Sequence, residues 1–548
     1  MKFLIFGTDV LPLAGRPTSG TALRTFGLGQ GLRAHGHEVE VSVPRDALAN
    51  MLRESDLEAL TPAARAEVEG LRETAFDYRN QTDVVHSVRP DVVLCGHWPA
   101  ATFQTRIRPV LVIDLAGPHL LERHYQGMGD HAGAVLGKLR AVSNADHFIV
   151  SGPKQRLYFL SFLLRAGVER PQDRIVTIPM PLSPALPERK PCPRGDAFPR
   201  VVFAGVFLPW QDPTFGLERI AAALAERRRG TLTLIGGPHP HYDDLNSAVY
   251  TRLFEKLARY PFVRRLPMLP LDRFADELAS ADVAIDLMRW NLERELAMTI
   301  RSTTYLWSGL PVIYNDFADL GDLIREYDAG WTIPPEDEGA LGAVIDELFG
   351  DPAAVDRKGA SAQRLAREVF SWDRAVRPLL DALGTPRSVP RNETDFSMDI
   401  AQNAEMDVLA EAAVEQQFVS RIDGLFRVEC RLATHQRLHI RPVTISLFRL
   451  ADDDGGPARR RELIARRSVG ADAIPADGWV AMEVDPIPDS AGRVFALTLE
   501  SAARDKDETV SPWAFEPRVF PMLGLSRGGR AFRGRSLCFR TTSTRVAS

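Results

Sequence analysis

Residues 112–124 read VIDLAGPHLLERH, and they contain several side chains that can donate or accept protons. Asp114 follows an apolar run that is typical of a buried strand, and His119 and Glu122 come shortly after it. A carboxylate or an imidazole held at the end of a strand can act as a general base toward a hydroxyl group. We therefore predict catalytic roles for Asp114, His119 and Glu122. Asp114 could alternatively cap a helix, and His119 could lie on the surface.

The residue spacing argues against several other kinds of site. No cluster of His and Asp residues has the spacing of metal ligands, so we expect neither a metal nor a cofactor. The loop AGRPTSGTALR (14–24) places Gly20 between a strand and a helix, but it lacks the Gly-x-Gly-x-x-Gly spacing of a dinucleotide site. The four cysteines are far apart in the sequence, which favours a reducing cytoplasm over a disulfide framework.

The predicted catalytic residues need a scaffold, and the first part of the chain provides a regular pattern for one. Short apolar runs alternate with helical patterns, and these runs are KFLIFG (2–7), EVEVSVP (38–44), PDVVLCG (90–96), PVLVIDLAG (109–117) and DHFIVSG (146–152). Alternating strands and helices are typical of a parallel sheet with helices on both faces. We therefore predict an α/β domain over residues 1–185.

A proline-rich passage interrupts this pattern, and the alternation then resumes. The later apolar runs are RVVFAG (200–205), TLTLIGG (231–237), FVRRLPML (262–269), DVAIDLM (282–288) and LPVIYND (310–316). They predict a second α/β domain over residues 186–384. Two tandem Rossmann-like doubly wound domains would leave a cleft between the carboxyl ends of their sheets, which is where open parallel sheets bind ligands.

The last third of the chain has a different character. A polar stretch over residues 385–414 predicts a linker. Beyond it, residues 415–548 contain short runs in which apolar and polar residues alternate, separated by Gly, Asp and Pro. This period of two predicts an antiparallel, all-β sandwich.

Composition limits the function further. The chain has 548 residues, of which 45% are hydrophobic and 25% are charged, as in a soluble globular protein. The net charge of −5 gives no sign of nucleic-acid binding, and no apolar run is long enough for a transmembrane helix. A cytoplasmic protein is expected. The stretch KQRLYFLSFLLRAG (154–167) could make a peripheral contact with the inner membrane, or it could form a buried helix.

Six stretches resemble, in their order along the chain, the GT-B glycosyltransferases, close to the family-4 group that uses nucleotide-sugar donors. They are TSGTALRTFGLGQGLRAHGHEVEVSVP, VVFAG, TLTLIGG, FVRRLPML with FADELASADVAIDLM, SGLPVIYND and FSWDRAVRPLLDAL. The resemblance covers about residues 1–384. It implies that the first domain binds an acceptor, that the second binds the donor, and that the domains close to exclude water.

The resemblance also implies where the donor would be held. Helix N-termini and closely approaching glycine backbone can bind its diphosphate, and its base is expected beside the LPML stretch (266–269). Trp210 lies in the loop after the first strand of the second domain. Its ring could be exposed to the cleft and stack on a base or a sugar, or it could be packed. The positions expected to contact the donor are Gly20, Trp210, Gln211, Gly236, Gly237, Met268, Arg301, Thr303 and Thr304. In related enzymes a histidine equivalent to His119 contacts the transferred sugar.

The chain departs from the family at a pair of glutamates. The family usually carries two, eight positions apart, the second standing five residues before a glycine that is Gly309 here. This chain has Leu296 and Thr304 at those positions, with Glu295 beside the first. We predict that Glu295 binds sugar hydroxyls or opposes charge on the departing ring, unless it is a solvated helix residue. Thr303 and Thr304 are predicted to donate helix-end hydroxyl hydrogen bonds to phosphate.

A second departure concerns phosphate-binding cations. The family usually has Arg and Lys after the first strand of the second domain, where this chain offers Val206 and Gln211. An arginine from elsewhere can replace them because a guanidinium binds phosphate with two hydrogen bonds. Arg301, Arg289 and Arg294 are the candidates, and Arg301 could alternatively be a helix-surface residue.

Together these features imply a metal-independent, hexosyltransferase-like enzyme of bacterial surface-polysaccharide synthesis, such as O-antigen, capsule or exopolysaccharide. It would move a sugar from a nucleotide-sugar to a saccharide or a lipid-linked acceptor. The degraded motifs leave open a non-catalytic glycan-binding or scaffold protein, and two-domain symmetry leaves open a sugar-nucleotide epimerase. The C-terminal part resembles a β-sandwich module of bacterial polysaccharide-related proteins. It could bind glycan through Trp479 or Trp513, or join the chain into a homo-oligomer.

Overall fold

The structure is a computed structural model of the 548-residue chain, and it contains two parallel sheets followed by an antiparallel unit. It describes all residues except 13–15, 52–61, 78–79, 102–108, 130, 144, 169, 190–194, 209, 238–247, 385–391, 399–405, 438–439, 452–459, 517–521, 533 and 545–548.

The first sheet has six parallel strands in the order β2-β1-β3-β4-β5-β6. They are β1 (Lys2–Phe6), β2 (Glu38–Ser42), β3 (Val92–Cys95), β4 (Val110–Asp114), β5 (His147–Val150) and β6 (Ile175–Thr177). Residues of β1 alternate between two hydrophobic clusters, with Phe3 and Ile5 in one and Leu4 and Phe6 in the other. Both faces of this sheet are therefore covered at β1, which explains why β1, β3 and β4 read as continuous apolar runs, whereas the edge strand β2 exposes Glu38 and Glu40.

Helices connect these strands. They are α1 (Gly20–Ala34), α2 (Arg45–Met51), α3 (Pro62–Thr74), α4 (Gln81–Val88), α5 (Trp98–Ala101), α6 (His119–Tyr125), α7 (His131–Ser143) and α8 (Pro153–Arg165), with a 3-10 turn at Pro171–Asp173.

The second sheet repeats the architecture with the order β12-β11-β10-β7-β8-β9, again all parallel. Its strands are β7 (Arg200–Val206), β8 (Thr231–Gly237), β9 (Val263–Leu266), β10 (Val283–Asp286), β11 (Val312–Asn315) and β12 (Gly330–Ile333). Its helices are α9 (Thr214–Arg227), α10 (Ala248–Leu257), α11 (Leu271–Ala279), α12 (Leu292–Leu296), α13 (Ile300–Trp307), α14 (Asp319–Tyr327), α15 (Glu338–Gly350), α16 (Pro352–Leu365), α17 (Trp372–Ala375) and α18 (Arg377–Gly384), with a π-helical turn at Ala366–Phe370.

Two chain segments join these domains, and glycines of α1 let both approach closely. A side chain at Gly27 would overlap the carbonyl oxygen of Pro181, and one at Gly31 would overlap the carbonyl oxygen of Trp372. The two segments also bond to each other, because the Leu182 N–H donates to the Phe370 carbonyl at 2.6 Å and its carbonyl accepts from the Trp372 N–H at 2.8 Å. The GLGQG stretch of α1 therefore forms part of the joint between the domains.

The chain then returns to the first domain. Ala375 of α17 and Leu379 of α18 lie in one hydrophobic cluster with Phe3, Leu28 and Leu32. The end of the predicted second domain thus packs on the first sheet, and the two domains share structural elements.

The C-terminal unit is antiparallel, with sheets ordered β13-β25-β15-β18 and β17-β16-β19-β14-β22-β23 and a small β21-β24 pair. Its strands are β13 (Asn392–Met398), β14 (Val414–Val419), β15 (Leu425–Ala433), β16 (Val443–Leu450), β17 (Arg461–Val469), β18 (Asp477–Ile487), β19 (Val494–Ser501), β20 (Ser511–Pro512), β21 (Ala514–Phe515), β22 (Met522–Arg527), β23 (Arg530–Ala531), β24 (Ser536–Leu537) and β25 (Phe539–Thr544), with 3-10 turns at Ala471–Ala473 and Lys506–Glu508.

One part of the predicted linker belongs to this unit. Residues 392–398 form β13, which pairs antiparallel with β25. The linker prediction over 385–414 is therefore wrong at this strand, because the polar sequence NETDFSM still buries Asp395, Phe396 and Met398. Residues 385–391 and 399–405 lie outside the described residues. The other domain boundaries stay predictions.

The antiparallel unit packs against the first domain. Leu450, Val494 and Ala496 belong to one hydrophobic cluster with Phe159 and Leu163 of α8. Neighbouring residues of the same strands point the other way, into the core between the sheets. The sheet that contains β16 and β19 is therefore apolar on both faces, and the C-terminal unit packs on a hydrophobic cluster of the first domain to which α8 contributes.

Helix α8 covers most of residues 154–167, and it is partly buried and partly exposed; a contact with a membrane stays a prediction. Phe159 and Leu163 are buried, whereas Leu157 and Leu164 are 70% and 64% exposed. No helix in the described parts of the chain is long and apolar enough to cross a membrane.

The close approach at α1 gives a prediction with an internal control. Gly27→Ala should destabilise the protein by about 1–3 kcal/mol, because the methyl group collides with the backbone of Pro181. Gly29→Ala on the same helix meets nothing nearer than 3.7 Å and should raise stability by roughly 0.5–1 kcal/mol through its higher helix propensity. Urea unfolding of both variants measures this difference. Equal stability of the two would contradict the described packing.

Candidate functional site

The two parallel sheets meet where helices α1 and α13 begin. An ideal Cβ on Gly20 would lie 2.8 Å from Cδ1 of Ile300, so the first residues of the two helices are in contact. Ser19 caps α1, because its Oγ accepts from the Ala22 N–H at 3.2 Å and donates to the buried carboxylate of Asp9. Each helix follows the carboxyl end of a strand, so the contact lies in the cleft where such folds bind ligands.

Arg301 is buried close to this contact. Its Nη1 donates to Oδ1 of Asp286 at 2.8 Å, and its Nη2 donates to Oε1 of Gln211 at 2.7 Å. The other Asp286 oxygen accepts from Ser302 at 2.6 Å. Among the described residues, Nε of Arg301 has no hydrogen-bond partner. A Cβ on Gly205 would lie 2.6 Å from that Nε, so the glycine leaves room for the guanidinium. The predicted residues Arg301 and Gln211 are thus brought together.

The glycines at the end of β8 lie on the same edge. Gly236 has a φ of +141°, and a side chain there would overlap the carbonyl oxygen of Gly205 on the neighbouring strand. Met268 lies beside Gly237, with its Cγ 3.9 Å from an ideal Cβ on that glycine. The structure therefore gathers Gly236, Gly237 and Met268 next to Gly205, and their contact with a donor stays a prediction.

The expectation that Trp210 is exposed to the cleft is wrong. The residue is only 9% exposed, and its carbonyl accepts from Nδ2 of Asn291 at 2.8 Å. This contact ties the loop to the segment before α12. The alternative, a packed aromatic ring, agrees with the structure, and a stacking role has no accessible face.

Thr303 and Thr304 are not at the end of a helix. Helix α13 begins at Ile300 after its N-cap Thr299, so both threonines lie inside the helix and are buried. Their hydroxyls donate to the Ile300 carbonyl at 2.9 and 2.8 Å. The prediction that they donate helix-end hydroxyl bonds to phosphate is therefore wrong in its geometry, because the backbone already accepts both hydrogens.

Asp114 has a structural partner. Its Oδ2 accepts from Nε of Arg24 at 2.6 Å and its Oδ1 from Nη2 at 3.1 Å, with both side chains almost fully buried. Arg24 also donates to the carbonyls of Ile178 and Pro179 at 3.1 and 3.2 Å. Both oxygens of Asp114 are thus occupied within a closed network, which disagrees with the predicted role as a base. The pair instead fixes α1 to β4 and to the segment after β6.

His119 and Glu122 form the second predicted catalytic group, at the start of α6. Nδ1 of His119 lies 2.7 Å from Oε2 of Glu122, and the two side chains are 24% and 22% exposed. A carboxylate only accepts, so Nδ1 carries the proton and Nε2 is left as an acceptor. The ring of His97 packs edge-on against His119, with the centroids 3.9 Å apart. Burial raises the pKa of Glu122, but His119, Arg294 and Lys138 together outweigh this effect and leave the pKa below its usual value.

Lys138 of α7 lies near this group and was not predicted from the sequence. It is fully buried, and its Nζ lies 4.5 Å and 5.2 Å from the ring centroids of Phe159 and Phe162. Nζ has no hydrogen-bond partner in the part of the chain that the structure describes. Burial lowers the pKa of Lys138 to about 7, although the charge of Glu122 acts in the opposite direction.

Glu295 faces the first domain across the cleft. Its Oε1 lies 3.4 Å from Nζ of Lys154, and its Oε2 accepts from Nε1 of Trp290 at 3.0 Å. Its side chain is 32% exposed, so it remains accessible to a ligand. The structure places Glu295 on α12, which also approaches α6 with His119.

Cations of the cleft are already paired with carboxylates. The pairs are Arg24–Asp114, Lys154–Glu295, Arg294–Glu293 and Arg301–Asp286. An anionic ligand would therefore share one of these cations or displace its carboxylate. Asp286 was missed from the sequence, although a carboxylate inside the apolar run DVAIDLM is a signal that could have identified it.

Comparison with known proteins relates the fold to solved structures. No protein-family profile matches this chain, and no curated protein sequence matches it. A sucrose-phosphate synthase from Thermosynechococcus elongatus is similar in structure, with a TM-score of 0.50 and 17% identity over 70% of this chain and 98% of that protein.

Two further solved structures are similar at lower scores. Anabaena Alr3699/HepE in complex with UDP-glucose has a TM-score of 0.47 and 15% identity over 70% of this chain and 99% of that one. WaaG, a glycosyltransferase involved in lipopolysaccharide biosynthesis, has a TM-score of 0.42 and 15% identity over 70% and 98%. At these identities the likeness concerns the fold. The chain has the GT-B architecture of two Rossmann-like domains, followed by an all-β module, as the sequence predicted.

The buried lysine leads to a prediction about stability. Lys138→Met should stabilise the protein at pH 7, because it removes an amine that must be neutral or unpaired when buried. The pKa of a lysine in the unfolded chain is near 10.4. Between pH 7 and 10 the unfolded state therefore binds one proton more than the folded state, so the free energy of unfolding of the wild type should rise by about 1 kcal/mol per pH unit. The variant should lack this slope in urea unfolding.

Lys256→Met is the control, because Lys256 is exposed on α10. It should leave both the stability and its pH dependence nearly unchanged. Lys138→Met could instead be less stable than the wild type while its stability still rises with pH as in the wild type. That result would mean that a partner holds the ammonium group.

Proposed function

We propose that this chain is a glycosyltransferase that takes a sugar from a nucleotide-sugar bound between its two Rossmann-like domains. The observation that carries the proposal is the position of Arg301. It is a buried guanidinium beside Gly205, at the carboxyl edge of the second sheet, with a nitrogen that has no partner among the described residues. An arginine there replaces the cations that the loop after β7 lacks.

The surroundings of Arg301 support a diphosphate. Helices α1 and α13 both begin next to it, at Gly20 and Ile300, and the free N–H groups of a helix start favour anions. In the proposed complex the diphosphate lies between these helix starts and Arg301. The base lies toward Gly237 and Met268, and the sugar extends toward Glu295.

The proposed reaction joins an acceptor hydroxyl to the anomeric carbon of the sugar. The hydroxyl oxygen forms the new bond, and the bond from that carbon to the phosphate oxygen breaks, so the nucleoside diphosphate leaves with the electron pair. Nε2 of His119 accepts the hydroxyl proton, while Glu122 holds the Nδ1–H. Glu295 opposes the positive charge that develops on the sugar ring.

The finer points of the proposal depend on the family resemblance. The transferred sugar is a hexose, and no metal is needed because Arg301 and two helix starts supply positive potential. The acceptor is a saccharide or a lipid-linked saccharide of bacterial surface-polysaccharide synthesis. Exposed Leu157 and Leu164 on α8 support a peripheral contact of this cytoplasmic enzyme with the inner membrane.

A second candidate is a non-catalytic glycan-binding or scaffold protein. The pairing of Arg301 with Asp286 favours it, because a carboxylate already neutralises the cation that a donor needs. The aromatic rings expected to bind glycan are partly covered, since Arg540 lies 3.9 Å from the ring centroid of Trp479 and Arg431 lies 5.8 Å from that of Trp513. A glycan-binding site in the C-terminal unit would therefore require these arginines to move or to take part.

Nucleotide binding separates the two candidates. The full chain is titrated with a panel of nucleotides and nucleotide-sugars while thermal stability is followed. A ligand present at a hundred times its dissociation constant should add about 2.7 kcal/mol. The double variant Arg301→Met, Asp286→Asn should show no shift. It replaces the pair by neutral groups of similar size, and so avoids leaving a buried carboxylate without its partner.

Arg289→Met is the matched control, because Arg289 is an exposed arginine at the same edge of the sheet. It should keep the full shift. The absence of a shift with every nucleotide, or an equal shift in the double variant, would contradict the proposed donor site and favour the non-catalytic candidate.

A further inference from the structure

One short segment of the first domain makes three contacts with the second domain inside the cleft. The segment comprises residues 152–154, which begin helix α8, and we call it the α8 start. The Lys154 N–H donates to Oδ2 of Asp319 at 3.0 Å. Asp319 is the first residue of α14, so a carboxylate of the second domain satisfies an N–H group at the beginning of a helix in the first.

The side chain of Lys154 makes the other two contacts. Its Nζ donates to the carbonyl of Phe317 and lies 3.4 Å from Oε1 of Glu295. Lys154 and Glu295 are 34% and 32% exposed, so the contact lines the open part of the cleft. Because Glu295 also accepts from Trp290 at 3.0 Å, its two oxygens are directed by two different partners.

Gly152 is required for this arrangement. A side chain at that position would collide with the carboxylate of Asp319 and would meet its Cβ at 3.4 Å. The α8 start therefore combines a glycine that allows contact, a backbone N–H that binds a carboxylate, and an ammonium group that reaches a second carboxylate. All three features depend on the second domain being close.

We propose that Lys154 is a positioning residue, which orients Glu295 only when the two domains are closed around the cleft, and that Asp319 and Gly152 hold the domains in that state. The role of Glu295 rests on the proposed glycosyl transfer, whereas the contact between the domains does not. In the open state Glu295 keeps only the bond from Trp290, and α8 loses the carboxylate at its beginning. Closure of the domains therefore places the Glu295 carboxylate where the sugar is proposed to bind, and this carboxylate is not oriented before closure.

The distance between the domains tests the contact without any substrate. Spin labels are attached to Ser161→Cys on α8 and Glu347→Cys on α15, in a full-length protein that carries Cys192→Ser. Both label positions are exposed, and the described native cysteines are buried. Gly152→Ala and Lys154→Met should each shift the distance distribution toward longer values. Asp319→Ala alone should also lengthen the distance, because it removes the acceptor of the Lys154 N–H. Gly152→Ala should add no further change in the double variant, because its collision partner is gone.

Activity tests the positioning role. Lys154→Met should lower kcat by about 10- to 100-fold with little change in donor KM, since misplacing a catalytic group affects the chemical step. Lys154→Arg should recover part of kcat, because a guanidinium can reach the same carboxylate. Arg165→Met, at the exposed far end of the same helix, should leave both kcat and the distance distribution unchanged.

The outcomes are distinguishable. Wild-type distances and wild-type kcat in both Gly152→Ala and Lys154→Met would overturn the proposal. A lower kcat without any change in distance would overturn the closure mechanism. Longer distances in a chain that binds no nucleotide and transfers no sugar would support the contact between the domains and overturn the proposed function instead.

Discussion

The ion pair between Arg301 and Asp286 connects the start of α13 to the end of β10, and the arrangement of the cleft depends on it. Both groups are almost completely buried, and removal of one partner from such a pair typically costs about 3–5 kcal/mol. The pair therefore fixes where α13 begins, and with it the position of Ile300 opposite Gly20. It also weakens the attraction of the site for an anion, because Asp286 already neutralises Arg301, the cation closest to the proposed diphosphate. A donor can bind only if its phosphates share Arg301 with Asp286 or replace it.

Glycines permit the close contacts on which this geometry depends. Gly27 and Gly31 bring α1 against the two segments that connect the domains, and Gly20 and Gly152 bring the starts of α1 and α8 against the second domain. A methyl group at any of these positions would meet another part of the chain closer than atoms normally approach. At these four positions the glycine backbone therefore comes directly against its neighbour. Such contacts are specific in shape, because a larger side chain would not fit at these positions.

The C-terminal unit packs against the first domain outside the cleft. It shares a hydrophobic cluster with α8, through Val494 and Ala496 on one side and Phe159 and Leu163 on the other. The sandwich therefore packs on the same hydrophobic cluster to which the helix that carries Lys154 contributes. This packing gives the unit a structural role in addition to any ligand of its own, and it explains why an apolar helix sequence is only partly exposed.

The fold was predictable because its signals are local. Apolar runs such as KFLIFG and TLTLIGG, spaced by helical patterns, indicate parallel sheets, and the alternating runs after residue 415 indicate the sandwich. The site was less predictable because its geometry is set by distant partners. Nothing near Asp114 in the sequence shows that Arg24 occupies both of its oxygens. The start of α13 at Ile300 places Thr303 and Thr304 inside the helix, and it likewise depends on a distant partner, because Arg301 pairs with Asp286 of β10. The strand at 392–398 was missed because its partner, β25, lies at the other end of the unit.

Hydrogen–deuterium exchange of the full chain with and without a saturating nucleotide-sugar tests the central claim directly, namely that a donor binds between the starts of α1 and α13. The claim predicts slower exchange in peptides that cover residues 18–24 and 299–305 together, because one ligand contacts both helix starts and holds the domains closed. Peptides from the C-terminal unit should exchange as in the free protein. Protection confined to residues 415–548, or none in either helix start, would contradict the account.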